Sequence, residues 1–342
     1  MRKFLAGALC GQRSWGSIMN AVANPAPVVH AFRFHALGGD GWLRFADVSR
    51  KEAEQAAISS VAWVRTIEQG FSRFLPDSLV SRLNRGETVE LDEGLLSLLA
   101  AAGLAHRKTE GRLDVTALPL WKLWHDPGRS SPPSRDEINA AQAERGFEDV
   151  ICGQNRARLK RPGMALDFGG IGKEWCIDGV VARLELCGFR NFLVELAGDV
   201  AARGRQSVGW TGWWVLLPGC QRAALLRDAA LATSGHGARF RCLAGVRISH
   251  LIDAQSGRPA SGVVRSVTAR ASRCLDAGVA ASDAAMADDV ETAFERLAPL
   301  PGLVRTVNDK FLMDETLAAS TRFVEGAGNE TASTPLTTAL FA

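Results

Sequence analysis

The segment ALDFGGIGKEWCID (residues 165–178) passes from an apolar run into a glycine-rich turn, and then into a helical pattern that opens near Ile171. Glycine amides at a helix N-terminus suit an anion, and Lys173 adds positive charge. Asp167 can accept a hydrogen bond from a ligand N–H. The plainer reading is a tight glycine turn with a solvated lysine, and the segment alone leaves both open. Three familiar motifs are excluded. A P-loop needs glycine five positions before the Gly-Lys pair and Ser or Thr after it, where Asp167 and Glu174 stand. A dinucleotide fingerprint would need a third glycine at a different spacing. ATSGH (232–236) is no nucleophile elbow, because Ala232 occupies the place of the first glycine.

Working outward, 342 residues suffice for one large core or two closely packed ones. The formal charge of +3, without a basic block or stripe, argues against a nucleic-acid partner. No apolar run reaches the roughly 18–20 residues that span a bilayer, so no integral membrane segment is expected. The cysteines are dispersed, with no pair at C-x-x-C spacing, which removes zinc and thioredoxin-like readings and points to reduced, mostly buried thiols. The start, MRKFLAGALC, has a basic end and a short apolar stretch that Gly11 to Ser14 interrupt. Leu9 precedes Cys10 where a lipoprotein box wants a small residue. Residues 1–27 are read as an extension. The free thiols favour the cytoplasm, with export or anchoring left open.

Periodicity predicts a strand, a glycine turn and a second strand between residues 28 and 46, then helices over 50–70, up to Asn84, over 91–108 and over 135–145. Strands are expected at 150–152, 156–159, 165–168, 192–196, 200–203, 213–217, 246–252 and 266–271, with helices at 171–187 and 278–297. The main domain is placed at 28–323 and a disordered tail at 324–342. Strands and helices without a regular βαβ beat argue for an α+β class with mixed or antiparallel sheets and packed helices.

Six segments then recur in a recognisable order: FSRFLPDSLVSRLNRG (71–86), GRLDVTALPLWKLW (111–124), ALDFGGIGKEWCID, VELAGDVAARG (194–204), ALATSG (230–235) and ISHLIDAQSGRPA (248–260). Together they resemble the FAD:protein FMN transferases, over roughly residues 33 to 310. The resemblance implies the flavin-transferase, T-fold-like architecture. It also implies FAD as substrate, Mg²⁺ as cofactor, and an acceptor flavoprotein modified on Thr or Ser. Carried over residue by residue, it places Leu37, Phe74, Asp114, Thr116, Trp124, Asp167, Lys173, Thr233, Ser234, Gly235, His250 and Leu251 at the FAD. Phe74 would lie against an aromatic ring; otherwise it is a core phenylalanine. Asp114 and Thr116, two apart, share a face if extended; otherwise they cap a strand end. Thr233 to Gly235 would form a turn at the ligand. His250 would face the diphosphate and, with Asp276, act in catalysis; its plainer role is a hydrogen-bonded core histidine.

The metal ligands implied are the Gly170 carbonyl, Asp276 and Ser282. This is where the chain departs most from the family pattern, since Ala280 stands where a threonine is expected. A second match, ADDVETA (287–293), offers Asp288, Glu291 and Thr292, with Asp288 twelve positions beyond Asp276. Further departures are Leu37-Gly38-Gly39 in place of Met-Gly-Thr, Ala197 for glycine, Glu174 for glycine and His236 for an acidic residue. The implied reaction is attack of an acceptor hydroxyl on the FMN phosphorus with AMP leaving, which depends on positioning and charge neutralisation. The rivals are an FAD-binding protein without transfer, and an FAD hydrolase in which water replaces the acceptor.

Overall fold

The computed structural model describes residues 28–236 and 240–324. The chain opens with a hairpin of β1 (Val29–Ala36) and β2 (Gly39–Ala46), then helices α1 (Arg50–Phe71) and α2 (Leu79–Asn84), strand β3 (Val89–Glu90), and helices α3 (Glu93–Lys108), α4 (Leu118–His125) and α5 (Arg135–Ala143). Strands β4 (Val150–Gly153) and β5 (Arg156–Leu159) lead to helix α6 (Gly172–Leu186). Next come β6 (Phe192–Leu196), β7 (Asp199–Arg203), β8 (Trp213–Leu216), β9 (Arg222–Leu226) and β10 (Ala229–Gly235). They are followed by β11 (Phe240–Leu243), β12 (Val246–Ser249), β13 (Ile252–Asp253), β14 (Arg258–Pro259) and β15 (Val264–Ala271). Helices α7 (Cys274–Ala285) and α8 (Val290–Leu297), strands β16 (Gly302–Thr306) and β17 (Phe311–Met313), helix α9 (Glu315–Ala319) and strand β18 (Thr321–Phe323) complete the described chain.

Eight strands form one sheet in the order β1-β2-β6-β7-β10-β15-β16-β17. Every neighbouring pair in it is antiparallel. Its third strand, β6, is buried along its whole length, so both of its faces need apolar side chains. Phe192, Val194 and Leu196 point to the core shared with α1, α6, α7 and α8. Leu193 points to the other face, where the small sheet β18-β9-β8 packs through Trp213, Val215, Ala224 and Leu226. Glu195 shares that second face and is neutralised by Arg44 at 3.1 Å, both almost fully buried. The α+β class with antiparallel sheets is thus the one expected. A further core joins α2, α3, β3 and β5 to one end of α6 and α7.

Helix α7 is built of small residues, CLDAGVAASDAA, and ten of its twelve positions are buried. The absence of bulk lets its axis lie close to β10 and β15. It has no side-chain cap of its own. Instead the carboxylate of Asp178, on α6, accepts the Cys274 amide at 2.7 Å and the Leu275 amide at 3.0 Å. Burial raises the Asp178 carboxyl above its usual range, against the opposing pull of those two amides. One helix therefore caps the next, and the cap fixes where α7 begins.

Several boundaries differ from those read in the sequence. Residues 165–168 form no strand, apart from a single bridge between Ala117 and Ala165. The Asn84 side chain satisfies both the amide and the carbonyl of Leu166, leaving no ladder to extend. The expected helix over 278–297 is two helices, because Asp289 accepts from the Thr292 amide and starts α8 afresh. The 230–235 segment is strand β10, not a turn. The structure adds helix α4, entered through Pro119 within the 111–124 segment, and the strands β3, β9, β11, β14 and β16 to β18, which the periodicity does not predict. Of the described cysteines, Cys176 and Cys274 are buried while Cys152, Cys187 and Cys242 are exposed, so the expectation of mostly buried thiols fails. Burial pushes the Cys176 thiol up to about 12. The extension at 1–27, Cys10 within it, and residues 325–342 of the tail lie outside the described residues. Among the described residues no helix is long and apolar enough to cross a membrane.

The trans cap gives a direct test. Asp178→Ala removes two charge-assisted hydrogen bonds and strands two amides, so urea denaturation should show a loss of about 2–3 kcal/mol. An unchanged midpoint would mean that α7 is held by packing alone.

Candidate active site

Two tight turns meet at one end of the main sheet. Leu37 and Gly38 have φ of 51° and 73°, and Ala197 and Gly198 have φ of 51° and 92°, the double positive pattern of a two-residue hairpin turn. Leu37 adopts this strained backbone with its amide donating to Glu68 Oε1 at 2.8 Å. A Cβ on Gly39 would lie 2.5 Å from that of Ala197, so the turns touch. Register brings more polar residues to the same end. Leu231 pairs with Val200, which puts Thr233 past the start of β7. Thr233 pairs with Thr268, and Gly235 with Ser266.

The side chains there are linked by several polar contacts. The Thr233 amide donates to Asp199 Oδ1 at 3.0 Å, and its hydroxyl meets that of Thr268 at 2.9 Å. The hydroxyls of Ser234 and Ser282 lie 2.7 Å apart, joining β10 to α7. From the first turn of α6, the Lys173 ammonium bonds Asp199 Oδ2 and lies 3.0 Å from Glu174 Oε1. Asp199 and Glu174 are 1% and 6% exposed, so one ammonium faces two buried carboxylates. Lys173 is therefore no solvated lysine. The sequence alone assigns no role to Asp199, although the AGDV segment carries it, and shows Glu174 only as a departure from the family pattern.

Other expected site residues fall into two groups. Phe74 is 75% exposed, which removes the core alternative and leaves its ring open to a ligand. The Arg73 guanidinium lies 4.1 Å from the Phe74 ring centre and 4.7 Å from that of Trp121, and Arg73 Nε donates to Asp167 at 2.9 Å. Asp167 also accepts the Gly169 amide at 2.9 Å, which shapes the exposed Gly169-Gly170 turn. Leu251 is half-buried against the main core, and its neighbour His250 is likewise half-buried.

Three expectations need correction. Asp114 and Thr116 are not extended. Asp114 accepts both the amide and the hydroxyl of Thr116, while Thr116 accepts the Gly146 amide, all out of reach of solvent. They brace the turn whose Val115 carbonyl accepts the Asp167 amide, and so act on the site from behind. Trp124 is 7% exposed and its indole N–H is used on the Gly257 carbonyl at 2.8 Å. It anchors the 248–260 segment and has no face left for a cofactor. Asp276 is paired with Lys108 of α3 at 2.8 Å, whereas Ser282 meets β10. Six helical residues turn the chain by about 240°, so the two face different neighbours. Within the expected metal set of Gly170, Asp276 and Ser282, Asp276 is thus turned away from Ser282. ADDVETA is accounted for as the capped start of α8, with Asp288 exposed and Asp289 accepting from Thr292. Among the described residues, no three of His, Cys, Asp and Glu cluster to hold a metal.

The model described as the ApbE family matches residues 44–304, and the chain belongs to that family. Among curated relatives, the FAD:protein FMN transferase of Vibrio cholerae is 29% identical over 257 residues, covering 71% of this chain and 77% of its own. The ApbE protein of Thermotoga maritima, a solved structure, has a TM-score of 0.74 at 27% identity, covering 86% of this chain and 99% of that one. The flavin transferase ApbE from Vibrio cholerae has a TM-score of 0.73 at 22% identity, covering 86% of this chain and 100% of that one, a likeness of fold. The resemblance drawn from the six segments is borne out.

The site leans on one buried ion pair. Asp283, beside Ser282, takes both oxygens to Arg112 at 2.6 and 3.0 Å. That pairing raises the guanidinium pKa further. Arg112→Ala would leave Asp283 buried without its main partner and should cost about 3–5 kcal/mol in chemical denaturation. A loss below about 1 kcal/mol would show that Asp283 is readily rehydrated or satisfied by Arg296, 3.9 Å away.

Proposed function

We propose that the chain transfers FMN from FAD to a Thr or Ser hydroxyl of an acceptor protein. One observation carries this reading: the matched span, 44–304, contains the whole polar end of the sheet, from Arg73 and Asp167 through Lys173, Asp199 and Thr233 to Ser282. Curated relatives aligned over 257 and 227 residues bear the name FAD:protein FMN transferase.

In this reading the flavin lies along the exposed Phe74 ring, where face contact contributes about 0.5–1.5 kcal/mol beyond burial. Asp167 is already oriented by Arg73 and accepts from the flavin edge. Lys173 at the α6 N-terminus, with the amides of the glycine turn, meets the diphosphate. Leu37 and Leu251 close apolar sides, and Thr233, Ser234 and Gly235 form the polar floor. His250 faces the diphosphate, and its imidazole takes the proton of the incoming acceptor hydroxyl. The new P–O bond to the acceptor oxygen forms as the diphosphate P–O bond breaks, and AMP leaves. A divalent cation, Mg²⁺ in this reading, supplies neutralisation of the diphosphate charge when bound. Ser282 and the Gly170 carbonyl are its proposed neutral ligands; Asp276 is not one.

Incubation of the protein with FAD, Mg²⁺ and an acceptor domain, followed by mass spectrometry, tests the reaction. The acceptor should gain one FMN moiety, with AMP appearing in equal amount. His250→Ala should lower the transfer rate by about 10²–10⁴-fold. AMP and free FMN without modified acceptor would instead identify a hydrolase, and intact bound FAD a binding protein.

A further inference from the structure

Asp276 leaves the site without the anionic ligand that a hard cation wants. The structure places another carboxylate there. Glu174 is 6% exposed; Lys173 occupies its Oε1, but its buried Oε2 has no partner. An unsatisfied buried carboxylate oxygen is costly. The local charge deepens the imbalance, since Glu174 and Asp199 carry two negative charges against the single positive charge of Lys173.

Gly278 explains how Glu174 gets there. A Cβ added at Gly278 would lie 2.5 Å from Glu174 Cγ and 3.0 Å from both Cδ and Oε1. The Glu174 side chain thus fills the space that a side chain at 278 would enter. Glycine inside a helix costs about 1 kcal/mol against alanine, and this crossing gives that glycine a purpose. Ser282 follows Gly278 by four residues, so the two share a face of α7. The Glu174 carboxylate and the Ser282 hydroxyl are consequently on the same side of the helix, toward β10. Asp276 is on the side toward α3.

We propose that Glu174, crossing Gly278 from α6, is the anionic ligand of the divalent cation at this site. Glu174 Oε2 and Ser282 Oγ contribute two oxygens beside the Gly170 carbonyl; the remaining positions belong to water and phosphate, as suits a hard cation that keeps several such ligands. The cation also offsets the surplus negative charge left by Glu174, Asp199 and Lys173. The role of the cation toward FAD rests on the reading above; the ligand assignment has its own readout.

That readout is Mn²⁺ binding to the full chain, followed by the fall in the free-ion electron paramagnetic resonance signal, with and without FAD. Flavin fluorescence reports FAD binding in the same samples, and thermal melting confirms folding. Glu174→Gln, which keeps the volume and removes the charge, should weaken Mn²⁺ by at least about tenfold. Asp276→Asn should stay within about twofold. The exchange Glu174→Gly with Gly278→Asp, which moves the carboxylate onto α7 across the same contact, should recover most of the lost affinity. A purely structural Lys173–Glu174 pair predicts no such recovery. Mn²⁺ affinity unchanged in Glu174→Gln, lost in Asp276→Asn, or missing from the wild-type chain would overturn the assignment. If the Mn²⁺ pattern holds while no acceptor is modified, the ligand assignment stands and the transferase reading fails.

Discussion

The close approach of α7 to the main sheet is the constraint on which the site depends. Only small side chains separate the helix from β10 and β15, and two hydrogen-bonded hydroxyls, Ser234 and Ser282, mark the contact. A bulkier helix would stand off, because interiors are packed like crystals and do not yield to an added methylene without strain. With α7 held close, the first turn of α6 and the opening of β7 are drawn into the same small volume. Glu174 and Asp199 are then almost fully buried beside a partly exposed Lys173, with little solvent to dilute their charges.

That charge arrangement links fold to chemistry. Two carboxylates and one ammonium, two of the three almost fully buried, are tolerable in a protein interior only when each polar atom finds a partner. Asp199 is satisfied by the Thr233 amide and by Lys173. Glu174 is satisfied on one oxygen only. The fold thereby maintains an unmet demand for positive charge beside a lysine and a glycine turn suited to phosphate. On the proposed reading, a diphosphate bound there with a divalent cation would meet both needs at once.

Much of this was legible in the sequence, for physical reasons that differ by element. The long helices α1, α3 and α6 announced themselves through apolar spacing, and the β6 and β7 strands through their apolar runs. The order of the six segments gave the family. What the sequence concealed were relations between elements. The 165–168 stretch reads as a strand, yet the Asn84 side chain claims its backbone first. Asp114, Thr116 and Trp124 sit in motif positions but direct their polar atoms inward. Asp276 lies near the expected spacing, and only the helix phase shows it turned toward Lys108. Glu174 reads in the sequence as a mere departure, because Gly278, which leaves room for it, lies more than a hundred residues away.

The measurement that bears most directly on this account is the anomalous scattering of Mn²⁺ in crystals grown with FAD. The account places the metal peak on the β10-facing side of α7, about 2.1 Å from a Glu174 oxygen, close to Ser282 and with the FAD diphosphate beside Lys173. A peak next to Asp276 and Lys108, or a diphosphate bound away from Lys173, would contradict it.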